Sequence, residues 1–301
     1  MNNNDRTNEI ASKHLGKKSS GSELYDPSLL VAVPRILNRE QYSISNEKIP
    51  FAGYDVWHAY EFSCLTENGV PVTRVLKLKY NCNNEFLIES KSLKLYLNSF
   101  NMSKFGRNVD EALNICKKII QKDLSEKLVT DVEVNFLNKK IKQISIFADF
   151  IDLMDYVDED SILIESFKES PEYLKCIQTN EQKEHFLMFD SLRSNCRVTH
   201  QPDFGKAFIY YKSNKLIDEQ SLVMYLTSFR SEYHFHEECC EMIFKRIADI
   251  LDNDDELLVC ALYTRRGGID ICPARWRVNT NYEQILSLLE MDTYASYGVS
   301  F

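Results

Sequence analysis

The sequence predicts an α+β fold made of two similar units, each with two helices packed on an antiparallel sheet. The first observation is a repeat, because Leu93–Phe100 (LKLYLNSF) is echoed by Leu222–Phe229 (LVMYLTSF) at an offset of 129 residues. Apolar side chains recur in both segments at i, i+3, i+4 and i+7, the spacing of one helix face. The second observation is that strand patterns precede each octapeptide, and a second helix and further strands follow it. This matched order favours duplication over chance helical patterning.

Four segments divide the chain. Residues 1–22 are polar, which predicts a mobile N-terminal tail. Residues 23–150 form the first unit. Residues 151–182 are rich in Asp and Glu and weakly periodic, so we expect an acidic connector with at most local structure. Residues 183–301 form the second unit.

An extended arm and a hairpin open the first unit. The Val-Pro step within Leu29–Asn38 predicts an extended arm over the core. Tyr54–Thr66 and Val70–Tyr80 have the composition and alternation of strands, and Glu67-Asn68-Gly69 supplies the turn between them.

Two helices and two strands complete the first unit. The octapeptide lies on the first helix, and Asn108 with Glu111 three residues later resembles a capping box that starts the second. Val129–Leu137 and Gln143–Phe150 return to strand character.

The second unit repeats this order. Cys196–Val198 and Ala207–Tyr211 have strand character, and the octapeptide predicts a helix after them. Apolar residues between Cys240 and Leu251 are spaced to face the core on a second helix, and Leu257–Tyr263 predicts a further strand.

Composition narrows the functional classes. The 301 residues carry a formal net charge of −9, which disfavours a broad nucleic-acid or anionic-membrane surface. The nine cysteines are odd in number and include no C-x-x-C pair, which favours reduced thiols in the cytoplasm. No apolar run reaches the ~18 residues of a membrane span, so we expect a soluble cytoplasmic protein.

Common nucleotide and metal motifs are missing. Neither G-x-G-x-x-G nor G-x-x-x-x-G-K is present, so the two common nucleotide-binding folds are not expected. His234 and His236 lie near Cys239 and Cys240 in the sequence. At helical spacing these side chains do not converge, and we expect no metal.

Three polar clusters are not explained by core packing. Glu89–Ser92, at a helix start, is either a solvated first turn or an anion site built from helix N–H groups, hydroxyls and Lys91. His236–Glu238 is either a surface turn or a reader of the N–H edge of a purine-like base. Arg265–Gly268 is either a basic turn or a guanidinium fork for phosphate.

Cys196 is the candidate nucleophile. It is flanked by Asn195 and Arg197 rather than by apolar residues, and a nearby cation favours the reactive thiolate. Asp203 follows seven residues later, beyond a proline. Taken alone this spacing is weak evidence for catalysis. Together with the three clusters, it supplies the parts of a nucleotide-dependent thiol enzyme.

Four separated motifs resemble those of the QueF family, the NADPH-dependent 7-cyano-7-deazaguanine reductases, in its long two-module form. They are Glu89–Tyr96 (ESKSLKLY), Ser194–Asp203 (SNCRVTHQPD), Phe235–Glu237 (FHE) and Tyr263–Asp270 (YTRRGGID), and the arm segments Tyr25–Leu30 and Val33–Arg35 also match. The resemblance covers residues 22–277.

The resemblance implies a fold, an assembly and a reaction. The fold would be two tandem tunnelling-fold (T-fold) modules, and the assembly a homodimer with composite active sites. The reaction would reduce the nitrile of a deazapurine to a primary amine with two NADPH. It is a step of queuosine biosynthesis, a tRNA modification, and implies no direct contact with nucleic acid.

The resemblance also implies residue roles. Cys196 would be the nucleophile and Asp203 the proton donor. The residues implied to hold the deazaguanine are Ile88, Glu89, Ser90, His236 and Glu237, and those implied to hold NADPH are Ser90, Lys91, Arg266 and Gly267.

These roles make chemical sense. A nitrile resists hydride, whereas addition of a thiolate gives a thioimidate, a better hydride acceptor. Asp203 can protonate the developing nitrogen anion. Water must be excluded, because the later imine would hydrolyse. Glu89 and Glu237 can accept hydrogen bonds from the amino and ring N–H groups of a guanine-like base.

Departures from the family pattern and two alternatives remain. Asn is expected where Cys272 stands, and residues 151–182 and 278–301 match poorly.

An amidinotransferase on the same fold would form the same thioimidate and add ammonia; the intact Glu89–Tyr96 segment disfavours it. A non-catalytic purine-binding or tRNA-associated protein is disfavoured by the net charge of −9 and by the Cys196 and Asp203 pair.

Overall fold

The computed structural model describes residues 3–12, 24–45, 47–137, 147–281 and 289–293. Its strands are β1 (Ala32–Pro34), β2 (Ala52–Leu65), β3 (Pro71–Asn81), β4 (Phe86–Ile88), β5 (Val132–Leu137), β6 (Ile151–Asp152), β7 (Cys176–Asn195), β8 (Pro202–Ile217), β9 (Glu256–Tyr263) and β10 (Ile269–Trp276). Its helices are α1 (Asn3–Ala11), α2 (Ile36–Arg39), α3 (Ser90–Asn98), α4 (Val109–Leu128), α5 (Glu219–Thr227) and α6 (His236–Ile250). The predicted α+β class is confirmed.

One eight-stranded sheet runs through both halves in the order β5-β3-β2-β10-β9-β8-β7-β6. Neighbouring strands are antiparallel except for the short β6, which is parallel to β7. The halves join where β10 pairs with β2, from Ile269 opposite Ala59 to Trp276 opposite Ala52. Because the last strand of the second half pairs with the first long strand of the first, both halves can contribute to one site.

The helices cover one face of this sheet. In the first half Tyr96 and Phe100 of the octapeptide belong to the buried core, and in the second half Tyr225 and Phe229 do the same. Successive strand residues point to opposite faces, so the other face carries a separate apolar cluster around Phe208. The predicted helix stripes are therefore the buried faces.

The duplication extends beyond the octapeptides. α3 and α5 begin at residues 90 and 219, the same offset. The Ser92 hydroxyl accepts the Val31 N–H at 3.0 Å, and the Ser221 hydroxyl accepts the Lys175 N–H at 3.1 Å. A short 3₁₀ turn that begins with proline precedes each of these contacts. The end of the predicted connector is thus the second unit's own copy of the arm.

The N-terminal segment differs from the prediction of a mobile tail. Asn3–Ala11 forms α1, because Ile10 and Ala11 find apolar partners in Val33 and Phe235. Residues 1, 2 and 13–22 of the predicted tail lie outside the described residues.

Three predicted strands or boundaries also differ from the structure. β7 begins at Cys176, inside the predicted connector, because Cys176 pairs with Ile217 on β8. The predicted strand Cys196–Val198 is wrong, since the pairing of Asn195 with Pro202 leaves residues 196–201 as the loop of a hairpin. In the predicted strand 143–150, residues 143–146 lie outside the described residues and 147–149 form a turn.

In the described part of the chain, no helix is both long and apolar enough to span a bilayer.

Candidate active site

Cys196 lies at the tip of the β7–β8 hairpin. Its N–H donates to the Gln201 carbonyl at 2.8 Å, and its carbonyl accepts the His200 N–H at 2.9 Å. His200 adopts a left-handed backbone conformation with φ of 58°, which lets the loop close tightly. The Cys196 side chain is buried, with 8% exposed.

A cavity of about 230 Å³ opens beside this thiol. Its lining comes from α3 in the first half and from the Cys196 loop, α6 and the β9–β10 turn in the second. The lining residues are Ser90, Lys91, Lys94, Cys196, Thr199, Gln201, His236, Arg266, Gly267, Ile269 and Ile271. The structure thus brings Ser90, Lys91, Cys196, His236, Arg266 and Gly267, all predicted from the sequence, around one space.

Asp203 links two walls of the site. Its Oδ2 lies 3.3 Å from His236 Nε2, and its Oδ1 lies 2.5 Å from an Arg266 guanidinium nitrogen. The His236 ring stacks on Tyr263 at a centroid distance of 3.8 Å. Asp203 is the second residue of β8, is buried, and is not itself among the lining residues. It connects the hairpin to two residues that do line the cavity, His236 on α6 and Arg266 on the β9–β10 turn.

The Arg266 turn depends on two glycines. Gly267 and Gly268 have φ of 59° and 82°, in the left-handed region that favours glycine. A Cβ on Gly268 would lie 2.4 Å from Glu61. The Gly267 carbonyl accepts a hydrogen bond from Lys94 Nζ at 2.5 Å. Lys94 therefore ties this turn to α3.

Glu89 caps the N-terminus of α3. One carboxylate oxygen accepts the Lys91 N–H at 2.8 Å and the other accepts the Ser92 N–H at 2.6 Å. Burial raises the pKa of Glu89, while these N–H donors oppose the shift. Glu89 and Ile88 are buried behind the cavity rather than among its lining residues, so their roles in substrate binding stay predictions.

Glu237 is buried in the first turn of α6 and does not line the cavity either. Burial, and then the nearby Asp55 carboxylate, raise the pKa of Glu237 to about 8. Its Oε1 has no hydrogen-bond partner among the described residues, and the same holds for His236 Nδ1. Buried polar atoms are nearly always paired. These two atoms are therefore candidates to bind a polar ligand.

A buried ion-pair network lies one helical turn beyond Glu237. Arg275 contacts Asp55 at 2.7 Å and Glu241 at 2.9 Å. Arg39 contacts Glu241 at 2.7 Å, and Arg35 pairs with Asp55. Burial raises the pKa of Glu241, but Arg39 and Arg275 outweigh it and bring the pKa to about 2. The network fixes α6 to the strands of both halves and to the arm.

Metal-type donors meet away from the cavity. Among the described residues, His58, Asp270 and Cys272 bring three donor atoms within 4.8 Å of one another. They lie on the opposite face of the sheet, because Asp270 and Cys272 alternate along β10 with the cavity residues Ile269 and Ile271. His58 Nδ1 lies 2.7 Å from Asp270. Within the part of the chain that the structure describes, the set of His234, His236, Cys239 and Cys240 does not converge in this way.

Sequence reasoning missed several lining residues. Lys94 had a signal, because it follows Lys91 by one helical turn. Thr199 and Gln201 had a weaker one, since they lie between the candidate nucleophile and Asp203 in the chain. Ile269 lay within the Tyr263–Asp270 motif, whereas Ile271 had no signal apart from the strand it forms.

Comparisons with known proteins identify a family and a relative. Residues 22–136 match the family described as "Nitrile reductase, 7-cyano-7-deazaguanine-reductase N-term", and residues 202–282 match "QueF-like protein". A curated relative, the "NADPH-dependent 7-cyano-7-deazaguanine reductase" of Colwellia psychrerythraea, is 37% identical over 278 residues, which cover 91% of this chain and 95% of the relative. α3 lies in the first matched range, and Asp203, His236 and Arg266 lie in the second.

Proposed function

The chain belongs to the QueF family of NADPH-dependent nitrile reductases, and from that premise we propose that it reduces 7-cyano-7-deazaguanine to 7-aminomethyl-7-deazaguanine through a covalent thioimidate on Cys196. One observation carries the proposal. A buried thiol, a histidine and three cations from two halves of the chain line one cavity, and the buried Asp203 carboxylate contacts that histidine and one of those cations. The product would enter queuosine biosynthesis.

Cys196 performs the covalent step. Its sulfur adds to the nitrile carbon, one π bond of the nitrile breaks, and the nitrogen takes a proton to give the thioimidate. Covalent catalysis of this kind divides one difficult reduction into easier steps. The hairpin contacts that hold the Cys196 backbone keep the sulfur at the cavity wall.

Asp203 manages the proton. It contacts the cavity-lining residues His236 and Arg266. From there it can donate a proton to the nitrogen and be reprotonated through these neighbours. General acid help of this kind contributes roughly 10²–10⁴-fold. After the first reduction the sulfur leaves to give an imine, and after the second the imine becomes the amine.

The cofactor side of the cavity fits an anion. Lys91, Lys94 and Arg266 line it together with the N-terminal turn of α3, and cations at a helix N-terminus attract phosphate. Gly267 allows close approach to the Arg266 turn. NADPH supplies hydride in each of the two reductions, and we assign Ser90, Lys91, Arg266 and Gly267 to hold it.

The base would lie between buried carboxyl groups. We assign Ile88, Glu89, Ser90, His236 and Glu237 to hold the deazapurine. The unpartnered Glu237 Oε1 supports this assignment, because a guanine-like base presents N–H donors that such an acceptor can satisfy.

The proposal also covers the fold family, the assembly and the location of the protein. The duplicated order of strands and helices supports two tandem T-fold modules, and the family supports a cytoplasmic homodimer. No metal and no direct contact with nucleic acid are needed for the proposed chemistry.

One assay tests the proposal. Purified protein is mixed with 7-cyano-7-deazaguanine and NADPH, and the loss of NADPH absorbance is followed with and without the nitrile. We expect nitrile-dependent oxidation of two NADPH for each amine formed. A folded sample that oxidises no NADPH in the presence of the nitrile would overturn the reductase proposal. Formation of an amidine from added ammonia would favour the amidinotransferase instead.

A further inference from the structure

The two members of a buried ion pair each follow, in the chain, a residue assigned to the site. Arg197 directly follows the candidate nucleophile Cys196, and Glu238 directly follows Glu237. A guanidinium nitrogen of Arg197 lies 2.9 Å from Glu238 Oε2, and the two side chains are only 2% and 5% exposed. The pair thus spans from the hairpin loop to the first turn of α6.

Both partners make further contacts that fix their orientation. Glu238 Oε2 also accepts the Phe235 N–H at 2.9 Å, which caps α6. The same nitrogen of Arg197 lies 3.0 Å from His234 Nδ1 and donates to the Asn38 side chain at 3.3 Å. The guanidinium therefore joins the hairpin loop, the start of α6 and α2 of the first half.

Neither residue touches the reaction space. The cavity lining includes neither Arg197 nor Glu238, and the Arg197 guanidinium lies 5.9 Å from the centre of the Phe235 ring. The two residues join the site through their chain neighbours, which are Cys196 on one side and Glu237 on the other.

Fold stability does not by itself require this pair. Desolvation of two charges offsets much of their attraction, and replacing a buried ion pair by well-packed neutral residues is often neutral or stabilising. The best-attested use of such a pair is to fix one arrangement among several. Here the arrangement fixed is that of the thiol relative to the groups assigned to the deazapurine.

We infer that Arg197 and Glu238 are positioning residues, whose ion pair holds the Cys196 loop against the start of α6 so that the sulfur meets the bound nitrile in attacking geometry. This inference rests on the proposed function. Misplacement by ~1 Å can cost about 10²-fold in rate, so loss of the pair should slow addition of the thiol more than it weakens binding.

The test compares two double variants with the wild-type protein. Arg197→Met/Glu238→Gln removes both charges together, and its Gln keeps an oxygen for the Phe235 N–H. Arg246→Met/Glu169→Gln removes another ion pair, also 2.9 Å apart but less buried, whose arginine lies on α6 and whose members do not line the cavity. For each protein, mass spectrometry after rapid mixing gives the rate of adduct formation at saturating nitrile. Calorimetry in a Cys196→Ala background gives the dissociation constant.

We expect the Arg197/Glu238 variant to form the adduct roughly 10- to 100-fold more slowly, with a nearly unchanged dissociation constant and thermal melt. The Arg246/Glu169 variant should keep the wild-type rate. Adduct formation at the wild-type rate by a folded Arg197/Glu238 variant overturns the inference. Equal slowing by both double variants also overturns it. If the wild-type protein forms no adduct, the proposed function has failed instead.

A second variant covers a failure to fold. Arg197→Lys keeps the charge opposite Glu238, but the lysine nitrogen lies one bond closer to the backbone than the arginine nitrogen that contacts Glu238, His234 and Asn38. A folded Arg197→Lys protein should form the adduct more slowly at an unchanged dissociation constant. The wild-type rate in that protein overturns the inference.

Discussion

The Asp203 carboxylate lies 3.3 Å from His236 Nε2, and its other oxygen lies 2.5 Å from Arg266. One carboxylate thus connects a helix of the second half with the turn that faces α3 of the first. This contact with two cavity-lining residues suits a group that gives a proton to the substrate and receives one from its surroundings.

Asp203→Asn should therefore remove proton transfer and keep the geometry. Asparagine has the same size and can still accept a hydrogen bond from Arg266. We expect nitrile-dependent NADPH oxidation to fall roughly 10²–10⁴-fold, with the dissociation constant of the nitrile changed little. Activity within a factor of a few of wild type would show that another group donates the proton.

Cys196→Ala should abolish the covalent adduct. Alanine fills most of the volume of cysteine, so the loop should close as before, and the nitrile should still bind. Mass spectrometry of the protein mixed with the nitrile checks the prediction. Cys176→Ala, at a half-buried cysteine distant in sequence from the motifs, is the control and should keep the adduct. An adduct that persists without Cys196 would place the nucleophile elsewhere.

Lys94→Met should weaken NADPH binding. The change removes a cation from the cavity and the hydrogen bond from Lys94 Nζ to the Gly267 carbonyl. We expect KM for NADPH to rise about tenfold or more, the scale of ~1.4 kcal/mol, with the affinity for the nitrile preserved. Lys122→Met is the control, because Lys122 is exposed on α4, pairs with Glu126 one turn away and does not line the cavity. An unchanged KM in Lys94→Met would contradict the assignment.

Glu237 should make folding stability depend on pH. Its pKa is raised to about 8 in the folded protein by burial and by Asp55, whereas an unfolded Glu titrates near ~4.3. The folded state therefore binds the extra proton, and stability falls as pH rises between these two values, by up to ~1.4 kcal/mol per pH unit. Glu237→Gln cannot ionise at this position. In thermal melts from pH 5 to 8, the melting temperature of the variant should therefore rise relative to that of the wild type as the pH increases. Parallel melting curves would mean that Glu237 is not held neutral.

Local patterns could predict most of the fold. The octapeptides mark α3 and α5 because an amphipathic face repeats over short distances, and Asn108 caps α4 as predicted, with its side chain accepting the Glu111 N–H at 3.0 Å. What the sequence did not show depends on partners far along the chain. β7 extends to Cys176 only because Ile217 lies opposite it, and α1 forms where Phe235 offers an apolar contact.

The residues of the site also divide into those that local sequence could predict and those that it could not. Chemically distinctive residues such as Cys196, His236 and Arg266 could be predicted, because their types and neighbours are unusual for a core. The ion pair of Arg197 with Glu238 joins residues 41 positions apart, and no local pattern links them. Lys94 lay within a predicted motif but was missed, since a lysine on a helix is ordinarily a solvated residue.

The duplication provides a control for the last prediction. Ser92 and Ser221 are equivalent, and each hydroxyl accepts one arm N–H and donates to the carbonyl of its helix cap, Glu89 or Asp218. Ser92→Ala leaves the buried Val31 N–H without its acceptor, which costs roughly 1–3 kcal/mol. Ser221→Ala does the same to the Lys175 N–H, which is only partly buried. We therefore expect both variants to lose stability in urea unfolding, Ser92→Ala by more.

Only Ser92→Ala should also alter the reaction. Ser92 stabilises the first turn of α3, whose Ser90 and Lys91 line the cavity, whereas α5 contributes no residue to that lining. We expect KM for NADPH to rise in Ser92→Ala and to stay at the wild-type value in Ser221→Ala. Equal changes in KM would mean that general loosening of the fold, and not the first turn of α3, sets cofactor affinity.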